Sequence, residues 1–283
     1  MVARLTVTDH DRDGGGYRYV YPVVSRRAGG VSVGVNLNPN NACNWRCVYC
    51  QVPGLTRGKA PELDLARLER ELDALLAEVT SEAFMAERVP EGARRLNDVA
   101  LSGNGEPTSS RVLGEVLALI RRVLERRGLL GRIKVVMITN GSLADQPWVT
   151  PALSALAEMN GEVWFKLDRA TRAGLEAVNS AAMEPRDHLR RLRHAAALCP
   201  TWVQTCMFEV DGATPAEAEV DAWLDALRGL VADGVPLQGV LLYGLARTSH
   251  QPEASHLSPV PDAWLLELGR RVEALGLPVK VTA

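Results

Sequence analysis

Three cysteines lie close together in one short segment of the chain. Cys43, Cys47 and Cys50 follow the pattern Cys-x3-Cys-x2-Cys, whereas Cys199 and Cys206 are distant in sequence. Thiolates are soft ligands that suit iron–sulfur clusters and zinc. Three protein ligands leave one coordination position open, and an open position is where a metal centre does chemistry. The alternative is a structural zinc site or an electron-transfer cluster that a His or another Cys completes.

A second segment has the composition of a ligand-binding turn. It consists of five consecutive residues: Gly103, Asn104, Gly105, Glu106 and Pro107. Glycines let a ligand approach the backbone closely, and Pro107 rigidifies the exit from the turn. The carboxylate of Glu106 can meet a cation such as an amino-acid ammonium. Taken alone, the segment could also be a tight turn without a ligand.

Predicted strands and helices alternate along the chain and must position both segments. Six strand-then-helix units are predicted, with strands over residues 31–37, 98–101, 135–138, 162–167, 202–210 and 240–244. This alternation indicates a parallel sheet with right-handed crossovers. Six units are fewer than the eight of a full barrel, so we predict an α/β fold with a partial (β/α)6 TIM-like barrel. In such folds the chemistry lies in loops after the C-terminal ends of strands.

Apolar residues at helical spacing predict the intervening helices. These cover residues 65–79, 112–124, 151–158, 170–198 as one or two helices broken near Pro185, 215–230 and 262–275. The residues from Thr214 to Glu217 have the sequence of a capping box, with Pro215 at the first helical position. Residues 1–30 are predicted to form an N-terminal arm or extra strand. Residues 31–283 are predicted to form one barrel domain that ends in a helix and a short strand over 279–281.

The composition of the chain excludes several classes of protein. The chain has 283 residues, a formal net charge of −2 and 47% hydrophobic residues, which excludes a disordered chain. No apolar run approaches the roughly 18 residues of a membrane helix, and the first residues lack a secretory signal. Five cysteines without an export signal predict a cytoplasmic protein. A nucleic-acid-binding module would need a basic face with exposed aromatics, and only Arg26 and Arg27 near Tyr17–Tyr21 suggest one.

Together, the two segments resemble the radical S-adenosylmethionine (SAM) superfamily. The resemblance rests on the three cysteines, on Tyr49 just before the last of them, and on residues 103–107. It covers roughly residues 31–245 and implies a [4Fe–4S] cluster on Cys43, Cys47 and Cys50. It also implies that SAM chelates the fourth iron, and that an electron from the cluster cleaves SAM to methionine and a 5′-deoxyadenosyl radical, which abstracts hydrogen from a substrate. An external one-electron donor such as flavodoxin or ferredoxin is implied.

The resemblance also implies roles for single residues. Tyr49 would lie near the adenine of SAM, and the loop around Gly105 and Glu106 would hold the methionine ammonium. Asn140, which follows the third strand, would contact the SAM ribose, the alternative being a strand-ending turn. Many members have two adjacent glycines where this chain has Asn104 before Gly105. The Gly-x-Gly-Glu-Pro-Thr form is similar to the branch that contains the wyosine-base synthases.

Charged, amide and thiol candidates follow the later strands. Lys166 and Asp168 lie two residues apart on one face, where they would contact the SAM carboxylate or the substrate, or form a buried structural ion pair. Gln204 and Cys206 share a face of the fifth strand. Gln204 is a candidate contact to the cofactor, whereas Cys206 either packs as a small hydrophobe or donates hydrogen to a substrate radical. Arg247 would hold an anionic substrate group or lie in a solvated loop.

These patterns predict a cytoplasmic radical SAM enzyme with one cluster and SAM as co-substrate. A nucleoside or RNA base, a peptide side chain and a small metabolite are all compatible substrates. The alternative from another class is a non-enzymatic iron–sulfur or zinc protein for electron transfer or scaffolding, which requires a fourth protein ligand near the cysteines. Trp45 is expected to shield the cluster from water. An auxiliary cluster on Cys199 and Cys206 is not expected, because clusters normally take four protein ligands.

Overall fold

The computed structural model describes residues 4–6, 16–25 and 29–282. Its strands are β1 (Val20–Ser25), β2 (Gly30–Val35), β3 (Ala42–Cys43), β4 (Thr56–Arg57), β5 (Leu96–Leu101), β6 (Lys134–Thr139), β7 (Gly161–Lys166), β8 (Thr201–Val210), β9 (Leu237–Gly244), β10 (Leu257–Pro259) and β11 (Val279–Thr282). Its α-helices are α1 (Leu65–Val79), α2 (Glu82–Arg88), α3 (Leu113–Arg126), α4 (Thr150–Ala157), α5 (Arg172–Asn179), α6 (Pro185–Leu198), α7 (Glu217–Ala232) and α8 (Asp262–Glu273).

One curled sheet contains the six predicted strands as neighbours. The order is β1-β2-β5-β6-β7-β8-β9-β11, and every pair from β2 to β11 along this path is parallel. β1 pairs antiparallel with β2, and β10 pairs antiparallel with β8. The prediction of a partial α/β barrel is confirmed. All C-terminal ends of the parallel strands therefore meet at one rim of the half-barrel.

Helix packing on the outer face of the sheet supplies most of the core. α3 buries seven apolar side chains at helical spacing: Leu113, Val116, Leu117, Leu119, Ile120, Val123 and Leu124. α1 begins after Asp64, whose side chain accepts a hydrogen bond from the backbone N–H of Arg67. This cap satisfies one of the free N–H groups of the first helical turn. The amphipathic helices thus fix the strands, and the strands present their ends at the rim.

The structure corrects one helix prediction and adds one helix that was not predicted. α7 begins at Glu217 with Ala216 as its N-cap, and no side chain caps it, so the predicted capping box at Thr214 is wrong. The carboxylate of Glu217 instead pairs with Arg271 on α8, 2.7 Å away. Glu217 thus forms an ion pair with another helix and does not form the capping-box hydrogen bond to its own helix. α2 was not predicted, because seven residues are too few to establish a helical period.

The N-terminal segment adds an edge strand and aromatic side chains to the half-barrel. Tyr19 and Tyr21 are buried, and the Tyr21 hydroxyl lies 2.9 Å from Ser102 Oγ. These rings pack into the protein, so they do not form the exposed aromatic face that a nucleic-acid module would need. Arg26 and Arg27 lie outside the described residues. Within the described ranges, none of the helices combines the length and apolar character needed to cross a bilayer.

Candidate functional site

A cavity of about 290 Å³ opens at the rim of the half-barrel. Twelve of the predicted site residues line it: Cys43, Cys47, Tyr49, Cys50, Gly103, Asn104, Gly105, Glu106, Asn140, Lys166, Cys206 and Arg247. Three predicted residues, Pro107, Asp168 and Gln204, do not line it and act from behind the wall. The two sequence segments thus meet at one cavity, as the parallel strand order requires.

The cysteine loop is held on both sides by backbone pairing. β3, which ends at Cys43, pairs with β4, and the backbone N–H of Cys50 donates to the carbonyl of Cys47 at 2.9 Å. The N–H groups of Arg46 and Val48 donate to carbonyls at the C-terminal end of α5. All three cysteines are partly buried residues that line the cavity. The loop therefore presents its sulfurs from a fixed backbone.

The thiols of Cys43 and Cys47 are poor ligands until a metal displaces their protons. Burial raises the pKa of Cys43 to about 12, and the Glu106 carboxylate adds to the effect. Burial also raises the pKa of Cys47 to about 12, although the Lys166 ammonium opposes it. Metal binding at this loop must release protons, which makes it pH-dependent.

The donor set fits an iron–sulfur cluster. Among the described residues, no three His, Cys, Asp or Glu side chains converge closely enough to hold a single metal ion. A cubane cluster does not need such convergence, because each thiolate binds a different iron. Three soft thiols on one loop beside one cavity therefore suit a cluster better than they suit one zinc ion.

The glycine segment packs directly against the cysteine loop. An added Cβ at Gly105 would overlap the carbonyl oxygen of Ala42, the residue before Cys43, and would also meet Asn38. The Asn104 amide donates to Asn41 Oδ1 at 2.6 Å, which ties the two loops together again. Glycine is therefore required at position 105 by a close backbone approach, not only by turn geometry.

The carboxylate of Glu106 is enclosed by protein donors. It accepts hydrogen bonds from the N–H and hydroxyl of Thr108, from the hydroxyl of Thr139 at 2.6 Å and from the N–H of Asn140 at 2.6 Å. Burial raises the pKa of Glu106, whereas these hydrogen bonds lower it. The donors belong to the segments that follow β5 and end β6, so this carboxylate fixes the ends of the two strands relative to each other.

An amide network joins the end of β6 to the cysteine loop. Asn140 Nδ2 donates to Asn44 Oδ1 at 2.8 Å, and Asn44 Nδ2 donates to Ser142 Oγ at 2.8 Å. Asn140 Oδ1 accepts from the N–H and hydroxyl of Ser142. Asn140 therefore fixes the strand-ending turn and also lines the cavity, where it can reach a ligand.

Lys166 and Asp168 belong to a buried charged network. Lys166 Nζ donates to the Tyr49 hydroxyl at 2.7 Å, and that hydroxyl donates to Asp168 Oδ2 at 2.6 Å. Nζ lies 3.9 Å from Asp168 Oδ2. Burial opposes charge on Lys166, but Asp168 together with Tyr243, Cys47 and Cys206 outweighs it, so the pKa of Lys166 is raised. Lys166 thus remains a cation at the cavity wall, and Tyr49 connects it to the cysteine loop.

The remaining candidates of the later strands lie beside this network. Gln204 Nε2 donates to the Tyr243 hydroxyl at 3.0 Å, and Tyr243 lines the cavity. Cys206 is 1% exposed, and its backbone N–H donates to Asp168 Oδ1 at 2.9 Å. Its side chain packs with Val48, Val178 and Phe208 at one end of the cavity. Arg247 is part of the wall that follows β9.

A strap over residues 249–253 holds the cysteine loop from the C-terminal side. Ser249 Oγ donates to the carbonyl of Val48 at 2.7 Å, and Gln251 Nε2 donates to the carbonyls of Cys50 and Val52. Both terminal nitrogens of the Arg46 guanidinium lie 2.7 Å from carboxylate oxygens of Glu253. Sequence analysis did not identify this strap, because its partners are about 200 positions away.

Several site residues were missed because Asn and His are common in turns and helices and showed no metal-ligand spacing here. The missed amides are Asn36, Asn38, Asn41, Asn44 and Asn179. His188 on α6 is fully buried beneath Trp45, with ring centroids 5.5 Å apart. Burial lowers the pKa of His188 to about 4, so the ring is neutral at pH 7. The alternation of Asn36 and Asn38 at the end of β2 was the one available clue.

A model of the Radical SAM superfamily matches residues 37–220. The fold is similar to that of a radical SAM methyltransferase from Sphaerobacter thermophilus, at 17% identity, a TM-score of 0.57, and coverage of 89% of this chain and 66% of that chain. It is also similar to TYW1 with a lysine–pyruvate adduct bound, at 15% identity, a TM-score of 0.56, and coverage of 89% and 74%. Streptococcus suis SuiB bound to S-adenosylmethionine gives 9% identity, a TM-score of 0.53, and coverage of 90% and 47%.

Two curated proteins share shorter stretches. GTPase Obg of Brachyspira hyodysenteriae is 30% identical over 122 residues, which cover 43% of this chain and 15% of that protein. UPF0026 protein slr1464 of Synechocystis is 29% identical over 161 residues, which cover 56% of this chain and 52% of that protein. The chain therefore spans well under two thirds of the length of these curated relatives.

Proposed function

Because the chain belongs to the radical SAM superfamily, whose model matches residues 37–220, we propose that the cavity cleaves S-adenosylmethionine reductively. The observation that carries the proposal is the meeting of two segments at one cavity. The cysteine loop and residues 103–106 line the same wall, with Gly105 against the carbonyl of Ala42. A zinc or electron-transfer site would give no role to this glycine segment.

Cys43, Cys47 and Cys50 would hold a [4Fe–4S] cluster. When bound, such a cluster supplies one electron at low potential and one iron without a protein ligand. Residues 103–106 border the same wall, so their backbone would meet the amino-acid end of SAM. Glu106 keeps that loop in register with Thr139 and Asn140 through the two hydrogen bonds that it accepts from them. Asn140 would meet the ribose from the adjacent strand end.

The later strand ends would hold charge and exclude water. The Lys166 ammonium faces the cavity and would bind the SAM carboxylate or an anionic substrate group. Asp168 keeps it protonated and, through Tyr49, fixes its direction. Trp45 and the strap 249–253 cover the cysteine loop, which protects a radical reaction from water.

Substrate contacts are assigned to the part of the wall that follows β8 and β9. Arg247 would hold an anionic group of the substrate through its fork of donors. Cys206, at the same cavity, would donate a hydrogen atom or pack as an apolar group. A nucleoside or RNA base, a peptide side chain and a small metabolite all remain compatible. Flavodoxin or ferredoxin would supply the electron in the cytoplasm.

The proposal is tested by product formation under anaerobic conditions. The protein is reconstituted with iron and sulfide, reduced with dithionite and incubated with SAM, and 5′-deoxyadenosine is quantified. Product in the wild type that is lost in Cys47→Ala would support the proposal, and Cys199→Ala, away from the cavity, is the matched thiol control. A loaded cluster that never cleaves SAM would contradict the proposal and favour an electron-transfer protein.

A further inference from the structure

Asn179 is a buried polar residue to which no role has yet been assigned. It is the last residue of α5, and its side chain is fully buried behind the cysteine loop. Its Nδ2 donates to Cys47 Sγ at 3.2 Å and to Asp168 Oδ2 at 2.8 Å. The two amide hydrogens are thereby used on a sulfur of the loop and on a buried carboxylate.

The direction of this amide is fixed by its partners. Asp168 also accepts hydrogen bonds from Tyr49 and from the N–H of Cys206. An ionised carboxylate can only accept, so the amide must turn its NH2 group toward Asp168 and, with it, toward Cys47. Asn179 Oδ1 is buried without a hydrogen-bond partner among the described residues. An orphaned buried acceptor is costly, so this orientation is retained for its two donated bonds.

The backbone keeps the amide and the sulfur in register. The Asn179 carbonyl accepts from the N–H of Arg46 at 3.2 Å, and the Val178 carbonyl accepts from the N–H of Val48 at 2.9 Å. Ser180 Oγ donates to the Arg46 carbonyl at 2.9 Å. Cys47 lies between residues that are bonded to the end of α5, so its backbone is held at a fixed distance from the Asn179 amide.

The three cysteines are not equivalent in this respect. Within the described residues, Cys47 is the one cysteine of the loop whose sulfur accepts a side-chain N–H. The Cys43 sulfur instead faces the backbone N–H groups of Trp45 and Glu106, and its side-chain contact has the opposite sense, since its thiol points at Asn44 Oδ1 at 3.9 Å. A thiolate retains only the first kind of contact, because it has no proton to donate.

We infer that Asn179 is a positioning residue that sets the reduction potential of the cluster through its N–H bond to Cys47 Sγ, which rests on the function proposed above. An N–H donor draws negative charge from a ligating thiolate, and the added electron of the reduced cluster is stabilised more than the oxidised state. Asn179 thus raises the potential at one corner of the cluster and makes the electron easier to deliver.

The test is a redox titration of the reconstituted full chain, followed by EPR. Asn179→Leu has a similar shape and no donor, and Asn179→Ser is too short to reach the sulfur. Both variants should decrease the equilibrium constant for one-electron reduction about tenfold, a shift of about 59 mV to a more negative potential. Ser180→Gly is the matched control. It removes a bond to the same loop that does not reach sulfur, and glycine tolerates the positive φ of 48° at this position.

The outcomes separate the inference from the proposed function. A shift in both Asn179 variants but not in Ser180→Gly supports the inference. Equal shifts in all three variants, or no shift in any, would overturn it, as would loss of the cluster from both Asn179 variants alone, which would show a purely structural role. If the wild type itself takes up no cluster or never cleaves SAM, the proposed function fails instead.

Discussion

The strand ends of the two halves of the half-barrel differ in chemistry. After β2, β5 and β6 the rim is rich in neutral amides and glycines, and its buried carboxylate, Glu106, is matched by four uncharged donors. After β7, β8 and β9 the rim carries a cation, Lys166, and the phenol of Tyr243, and Lys166 donates across to the Tyr49 hydroxyl of the cysteine loop. In the first half the buried charge of Glu106 is satisfied by donors of the same half, whereas in the second half the charge of Lys166 lies at the cavity wall.

This difference suggests a division of labour. The first half shapes a backbone surface beside the cysteines, which suits a ligand part that is the same in every reaction. The second half offers charge, hydroxyls and a thiol, which suit discrimination and reactivity. Changes in the first half should therefore abolish the reaction, whereas changes in the second half should weaken binding by a smaller amount.

Gly105→Ala should break the first half most severely. The new Cβ overlaps the Ala42 carbonyl and Asn38, so either the cysteine loop or the glycine loop must move. We expect 5′-deoxyadenosine formation to fall at least about 1,000-fold, equivalent to about 4 kcal/mol in the barrier. Gly114→Ala on α3, where an added Cβ meets nothing within 4 Å, is the matched control. Unchanged turnover in Gly105→Ala would contradict the close-approach argument.

His188 connects the two halves, and His188→Gln should change the pH dependence of the unfolding free energy. His188 Nε2 donates to the Lys166 carbonyl at 2.8 Å, and the ring supports Trp45 of the cysteine loop. Since its pKa falls from 6.5 to about 4 in the folded state, the unfolded chain binds more protons between these values. This difference removes about 3 kcal/mol of unfolding free energy as the pH falls from 6.5 to 4.

The measurement is chemical denaturation of the cluster-free protein at several pH values. In the variant, the unfolding free energy should fall less steeply between pH 6.5 and 4, and the remaining pH dependence should come from the carboxylates. The same substitution at His194 controls for the change of residue type on α6. Identical slopes for wild type and His188→Gln would show that the ring carries no such contribution.

Lys166→Met should show what the cation of the second half does. If the ammonium binds the SAM carboxylate, its loss should weaken SAM binding about thirtyfold, or about 2 kcal/mol, the usual size for a hydrogen bond to a charged group. SAM affinity is measured by titration of the loaded protein, with iron content as a check on the cluster. Lys134→Met, at the opposite end of the barrel, should bind SAM as the wild type does. Unchanged affinity in Lys166→Met would assign Lys166 to a structural ion pair.

Glu253→Gln should have the smallest effect, because it removes a partly exposed ion pair at one end of the strap. The Arg46–Glu253 pair is one-third exposed, so its loss should lower the unfolding free energy by about 1 kcal/mol or less. The effect should shrink as salt is added, because exposed charges are screened. Denaturation at low and high ionic strength measures both the loss of unfolding free energy and its dependence on salt. A salt-independent loss well above this size would mean that the strap is part of the core.

Sequence analysis located the main features because they are local. The cysteine spacing and residues 103–107 are contiguous, and the strand period places both segments at one rim. The Asn179–Cys47 bond joins residues 132 positions apart, and no local pattern reports it. The start of α7 was misplaced for a related reason, since Glu217 bonds Arg271 of a distant helix instead of its own cap.

Glu106 shows the limit of assigning roles from residue type. Its sequence context indicates a carboxylate that meets a ligand cation, which stays a prediction, whereas its hydrogen-bond partners Thr139 and Asn140 come from the next strand and no local pattern reports them. For Lys166 the sequence predicted a partner correctly but not the whole contact. Its alternation with Asp168 predicted a shared environment, and the structure supplies the intervening Tyr49 hydroxyl that the sequence could not.

The most direct test of the central claim is the EPR spectrum of the reduced, reconstituted protein before and after SAM is added. The account predicts one [4Fe–4S] signal per chain that changes on SAM binding, and no cluster signal in Cys47→Ala. A fully loaded cluster whose spectrum does not respond to saturating SAM would contradict the claim that the cysteine loop and the glycine segment form one SAM site.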